Sequence, residues 1–131
     1  MKVSEGLLQV RKLYFGLLVV LLSLPVVSHS MGLGEVRIHS ALNQVLDAEI
    51  ELLSATEAEL NSLSVKIASY ETFARVGIDR PSVLMLLRFK VSQNNQGQDI
   101  ITITSREPIR EPFLDFILEI NWRAGRILRE Y

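Results

Sequence analysis

The chain has no cysteine. That excludes disulfide staples, thiol nucleophiles, redox dithiols and Cys-ligated zinc. Histidine is scarce, with two in 131 residues, and there is one tryptophan. No apolar run reaches the roughly 20 residues that a membrane-spanning helix needs. Positive charge is not in excess either, since 14 Lys and Arg face 15 Asp and Glu. A nucleic-acid binder holds phosphates with clustered cations, so that class is set aside. What remains is ordinary globular chemistry at the length of one domain, 48% hydrophobic and 22% charged.

Part of the apolar excess lies in one block at the N-terminus. Residues 1–12 carry Lys2, Arg11 and Lys12 against the single acid Glu5, and residues 13–27 carry no charge. Ser28-His29-Ser30 then offers small residues at the −3 and −1 positions of a cut before Met31. A basic start, a short apolar stretch and a small-x-small exit are the order that a signal peptidase reads. Residues 1–30 are therefore expected to be a signal peptide cleaved after Ser30, and residues 31–131 an exported, periplasmic domain. The apolar stretch is too short for a membrane anchor, at about 1.5 Å per residue against about 30 Å of hydrocarbon. Contact with the membrane is expected only through the uncleaved leader. Cleavage removes three basic residues and one acid, leaving eleven and fourteen. Without disulfides, the remaining domain must hold itself by packing and sheet hydrogen bonds.

After Met31 the dominant signal is period two, the mark of a half-buried strand. Residues 35–39 alternate, and residues 46–52 (LDAEIEL) alternate without a fault, three acids on one face and four apolar side chains on the other. Ser54-Ala55-Thr56-Glu57 has capping-box spacing and predicts a short helix to about Ser62. Residues 63–67 alternate again. Ser69 is expected to open a short helix over Tyr70–Val76, closed by Gly77. Residues 83–92 read as a central strand, Asn94 to Asp99 as a hairpin loop, and residues 100–105 as its return. The prolines in Arg106–Pro112 (REPIREP) bend the chain. Residues 114–122 form the next strand, Arg123–Arg126 a tight turn, and residues 127–131 a last strand that reads as truncated. Either a longer parent continues beyond Tyr131 or this is a shortened product. The fold class expected is mainly β: a small Ig-like β-sandwich of about seven short strands with one or two short helices, preceded by the signal-peptide helix.

Candidate chemistry is thin. Asp47, Glu49 and Glu51 form a carboxylate row, but same-face neighbours on one strand stand about 7 Å apart and do not converge on a cation. A solvated face that discourages edge pairing is the preferred reading. His39 has no serine or carboxylate at triad spacing. Arg106 and Arg110 are either a docking patch or, more simply, partners of Glu107 and Glu111 in a proline bend, in pairs worth up to about 1 kcal/mol. Phe89, Phe113, Phe116 and Trp122 are candidates for a ligand groove, although period two assigns Phe116 and Trp122 to the core. No catalytic, cofactor-binding or metal-ligating residue is assigned, and no cofactor is expected.

Residues 32–44 (GLGEVRIHSALNQ), followed by 46–53 (LDAEIELL), resemble the N-terminal periplasmic domain of the FimV family. The resemblance continues through Phe73-Ala74-Arg75, residues 77–81 (GIDRP), residues 104–114 (TSREPIREPFL), Asn121-Trp122, Gly125-Arg126 and Arg129-Glu130-Tyr131. It covers essentially all of 31–131, in order. Val45 replaces a usual proline, and Trp122-Arg123-Ala124-Gly125-Arg126 replaces a usual Trp-Pro-Ser-Gly-Arg; both departures lie in bends. The family comprises type IV pilus assembly and polar landmark proteins, HubP- and TspA-like members among them. The resemblance implies a non-enzymatic scaffold domain, with protein partners in the pilus or polar machinery of the envelope and a part in twitching motility. Family members usually continue into a LysM peptidoglycan-binding module, a transmembrane helix and a cytoplasmic region, none of which is present in these 131 residues. Peptidoglycan or glycan contact is the runner-up function. Edge-strand pairing along Ile127–Tyr131 is a route to partner capture.

Overall fold

Each of the seven expected strands is present, two of them shortened, in the computed structural model, which describes residues 2–22 and 30–131 and the side chains of 6–20 and 30–131. A helix, α1 (Lys2–Leu22), comes first, and its described side chains are all exposed. Among the described residues no helix is long and apolar enough to cross a membrane. Most of the expected cleavage motif, Ser28 and His29, lies outside the described residues.

The strands are β1 (Gly32–Ile38), β2 (Val45–Leu53), β3 (Ser64–Ile67), β4 (Leu87–Gln93), β5 (Asp99–Pro108), β6 (Ile117–Trp122) and β7 (Gly125–Glu130). They form two antiparallel sheets, β1-β2-β5-β4 and β3-β6-β7. The inward side chains interdigitate between the sheets: Ala48, Ile50 and Leu52 from β2, Ile101 and Ile103 from β5, and Leu118 and Ile120 from β6. Several of these have no exposed surface at all. Each fully buried aliphatic side chain contributes about 1.5–3 kcal/mol, and this core takes the place of the missing disulfides. Met31 and Leu33 belong to it.

Two short helices follow their capping residues. Ser69 accepts from the Thr72 amide to open α3 (Tyr70–Val76), and Gly77 closes it with φ +83°, a left-handed conformation that suits glycine. The other capping box is displaced from its expected place. Thr56, not Ser54, caps α2 (Glu57–Asn61), with Glu59 reaching back to the Thr56 amide at 2.9 Å. Ser54 has φ +55°, a turn conformation that excludes it from a cap.

Three further expectations are corrected. Residues 82–86 form a 3-10 turn instead of the start of a strand: Pro81 opens the turn, Leu84 is buried within it, and pairing with β5 begins only at Leu87 opposite Ser105. The strand expected from Leu114 starts at Ile117. The acidic strand β2 is not an edge but lies between β1 and β5, so its carboxylates do not serve to discourage edge pairing. The true edges are β1 and β4 in one sheet, and β3 and β7 in the other.

Candidate functional site

The candidate site is an apolar groove at one end of the sandwich, built where β1 and β2 meet the connection between β5 and β6. Ser40 to Gln44 turns the chain, with Asn43 at φ +64°. Ile109 docks against this turn through two backbone bonds, its amide on Gln44 O at 3.0 Å and its carbonyl accepting from Asn43 at 2.9 Å. Glu111 and Pro112 then continue the wall of the groove. Between these walls lies a groove of about 260 Å³, lined by Val36, Ile38, Leu42, Leu46, Ile109, Leu114, Phe116 and Tyr131 among others. Glu111 is its one charged lining residue.

The lip is unusually apolar. Among the lining residues Ile38 is 64% exposed and Leu42 54%. Single exposed hydrophobic residues are ordinary, whereas several around one concavity mark a contact surface.

One side of the groove is closed by stitches between the sheets. Tyr131 Oη donates to Gly34 O at 2.9 Å, Arg129 Nη1 donates to Leu33 O, and Arg129 Nη2 meets Glu35 Oε1 at 3.0 Å. Tyr131 also stacks on Phe116 with centroids 5.8 Å apart. Burial, offset by the nearby Arg129 and reinforced by Glu35, pushes the Tyr131 hydroxyl up to about 12. It is neutral and able to donate throughout the physiological range.

The carboxylate row stays on the opposite, outer face of the first sheet. Glu49 lies 3.7 Å from both Arg37 and His39, and Glu51 lies 3.9 Å from Arg37 and accepts from Gln98 at 2.9 Å. His39 is thus beside a carboxylate, in a pair on the surface. Among the described residues no group of three or more His, Asp or Glu is placed to hold a metal ion. The expected Arg–Glu pairs of the REPIREP bend do not form. Among the described residues no ion pair joins Arg106 or Arg110 to Glu107 or Glu111, and buried Ile109 fixes the bend instead. The four aromatic residues do not share a groove either: Phe116 is in the core, Phe89 and Trp122 flank it, and Phe113 stands in solvent.

A second charged cluster sits on the outer face of the other sheet. Glu119 on central β6 is buried, accepts from Asn121 at 2.9 Å, and lies 3.4 Å from Lys66 on β3 and 3.1 Å from Arg126 on β7. The Asn121 hydrogen bond, helped by Lys66 and Arg126 against the opposing effect of burial, holds its carboxyl below the usual range. Its place across three strands marks it as a sheet clamp.

The groove escaped sequence reasoning because Ile38 and Leu42 fit the expected alternation and interruption equally well. The available signal was the density of apolar residues, Ile38, Leu42, Val45 and Leu46, around a turn.

A family model described as the FimV N-terminal domain, an Ig-like domain, matches residues 31–131. The motility hub protein FimV of Pseudomonas aeruginosa strain PAO1 is 42% identical over 104 residues, 79% of this chain and 11% of that protein. The same protein of strain UCBPP-PA14 matches to the same extent. The chain therefore spans about a tenth of the length of these curated relatives. No solved structure matches it. The chain belongs to the FimV family, and residues 31–131 are its N-terminal Ig-like domain.

Proposed function

We propose that residues 31–131 act as a non-enzymatic docking domain of a FimV-type motility hub in the periplasm, delivered there by a leader comprising residues 1–30 and cut after Ser30. The supporting observation is the groove: a preformed apolar concavity whose lining residues Ile38 and Leu42 stand more than half exposed on a domain with a well-filled core. Exposing that much aliphatic surface is unfavourable unless a partner covers it. Met31 is buried in the core and the family match begins at the same residue, which agrees with a leader that ends at Ser30. The carboxylates Glu49 and Glu51 pair with Arg37 and His39, and Glu119 ties three strands together, roles that favour binding over catalysis.

The test is a hybrid Pseudomonas FimV in which the matched region is replaced by residues 31–131. Surface motility close to that of the parent strain is expected. A hybrid that moves no better than FimV lacking the region contradicts the reading.

A further inference from the structure

The phase of β1 decides which of its backbone groups are free. His39 N donates to Asp47 O at 2.8 Å, and Arg37 faces Glu49 two residues on, so the bonded pairs with β2 fall on odd positions. In an antiparallel ladder the residues between bonded pairs turn their N–H and C=O to the other side. Val36 and Ile38 therefore aim theirs outward, along an edge with no neighbouring strand. Their side chains face the groove, since Val36 pairs with core residue Ile50 and Ile38 with Ala48. Toward the N-terminus the edge is already occupied, because Leu33 O and Gly34 O accept from Arg129 and Tyr131.

The open length is thus short, and its charge is specific. Arg37, between Val36 and Ile38, projects to the outer face with its side chain 59% exposed, held only by contacts of 3.7 and 3.9 Å to Glu49 and Glu51. Glu35, the neighbouring acid, is paired to Arg129. Strands in a sheet lie about 4.8 Å apart. A carboxylate on an added strand would sit about one spacing from Arg37 and about two from Glu49, beyond the Debye length of about 8 Å at physiological salt. Attraction to Arg37 then outweighs repulsion from Glu49.

Resting on the groove as the docking surface, we propose that its occupant is an extended protein segment of the pattern apolar–acidic–apolar, added as a fifth strand to the edge of β1. Its amides pair with Val36 and Ile38, its two apolar side chains enter the groove, and its acid faces Arg37. A second copy of this chain fits less well. A two-fold pairing about Val36 would set Ile38 of the copy against Gly34, whose carbonyl Tyr131 already occupies.

The test uses the 131-residue chain and labelled synthetic peptides, Val-Glu-Val and Val-Lys-Val cores with the same flanks, read by fluorescence anisotropy. The Glu peptide is expected to bind at least tenfold more tightly than the Lys peptide, and Arg37→Glu to reverse the order. N-methylation of the amides facing β1 should abolish binding without touching the protein. Ile38→Pro should do the same, because that N–H makes no bond within the domain and proline is tolerated on such an edge. Equal binding of both peptides, binding that survives N-methylation, absence of binding, or a concentration-dependent dimer lost in Ile38→Pro would each overturn the proposal. The groove reading is tested separately by Leu42→Glu in the hybrid FimV. If peptides fail while that variant abolishes motility, only the strand occupant is wrong; if that variant moves normally, the groove reading itself fails.

Discussion

The phenolic hydroxyl of Tyr131 donates a 2.9 Å hydrogen bond to the carbonyl of Gly34, joining the end of the second sheet to the bulge between Leu33 and Val36 in the first strand. With Arg129 on Leu33, this bond binds the two sheets along one open side of the sandwich. Tyr131→Phe should cost about 1 kcal/mol in urea unfolding at neutral pH, the usual worth of a hydrogen bond. A loss indistinguishable from zero would mean that Arg129 alone holds the side.

The same hydroxyl sets an alkaline limit. Its pKa rises from 10.0 to about 12 on folding, so the neutral form is favoured in the folded state. The stability it contributes is complete below pH 10 and is lost as pH climbs from 10 toward 12. An absorbance titration should show one late-ionising tyrosine, absent in Tyr131→Phe.

Glu119 predicts the opposite limit. Its carboxyl is held below 4.5, so its contribution is present above that value and disappears as pH falls through the lower, folded value. Glu119→Gln should lose about 1–2 kcal/mol at pH 7, where charged hydrogen bonds to Asn121, Lys66 and Arg126 are weakened. At pH values below the folded pKa the variant and parent should converge.

The helix cap separates two nearby residues. Thr56→Ala should cost about 1 kcal/mol, the typical loss of a side-chain cap, while Ser54→Ala should stay within about 0.5 kcal/mol. Thermal unfolding by circular dichroism resolves the two.

Gly125 closes the β6–β7 hairpin beneath Trp122. A Cβ placed there would lie 2.7 Å from Trp122 Cζ2. Gly125→Ala should displace the indole, costing about 1–3 kcal/mol as overpacking does, and shift the emission of the chain's one tryptophan.

Much of this architecture was legible in local pattern. Strict alternation in residues 46–52 reported a real property, since one face of β2 packs inward while the other carries the acids. Ser69 and Gly77 bounded their helix because cap chemistry is local. Position in the sheet is not local. Nothing in residues 46–52 says that β1 and β5 flank them, and nothing in the apolar run 83–86 says that a 3-10 turn opens there after Pro81. The capping box moved from Ser54 to Thr56 because two overlapping Ser/Thr-x-x-Glu patterns compete, and the turn conformation at Ser54 selects the second. The groove depends on Ile109 docking against Gln44, a contact between residues far apart in sequence.

The account rests on the groove as the working surface of the domain, and motility of the hybrid FimV measures that most directly. Leu42→Glu places a charge on the lip, and Lys90→Glu, on the outward face of β4 away from the groove, serves as the control. The account predicts loss of surface motility for Leu42→Glu and parental motility for Lys90→Glu, with both proteins folded and equally abundant. Normal motility with Leu42→Glu would contradict it.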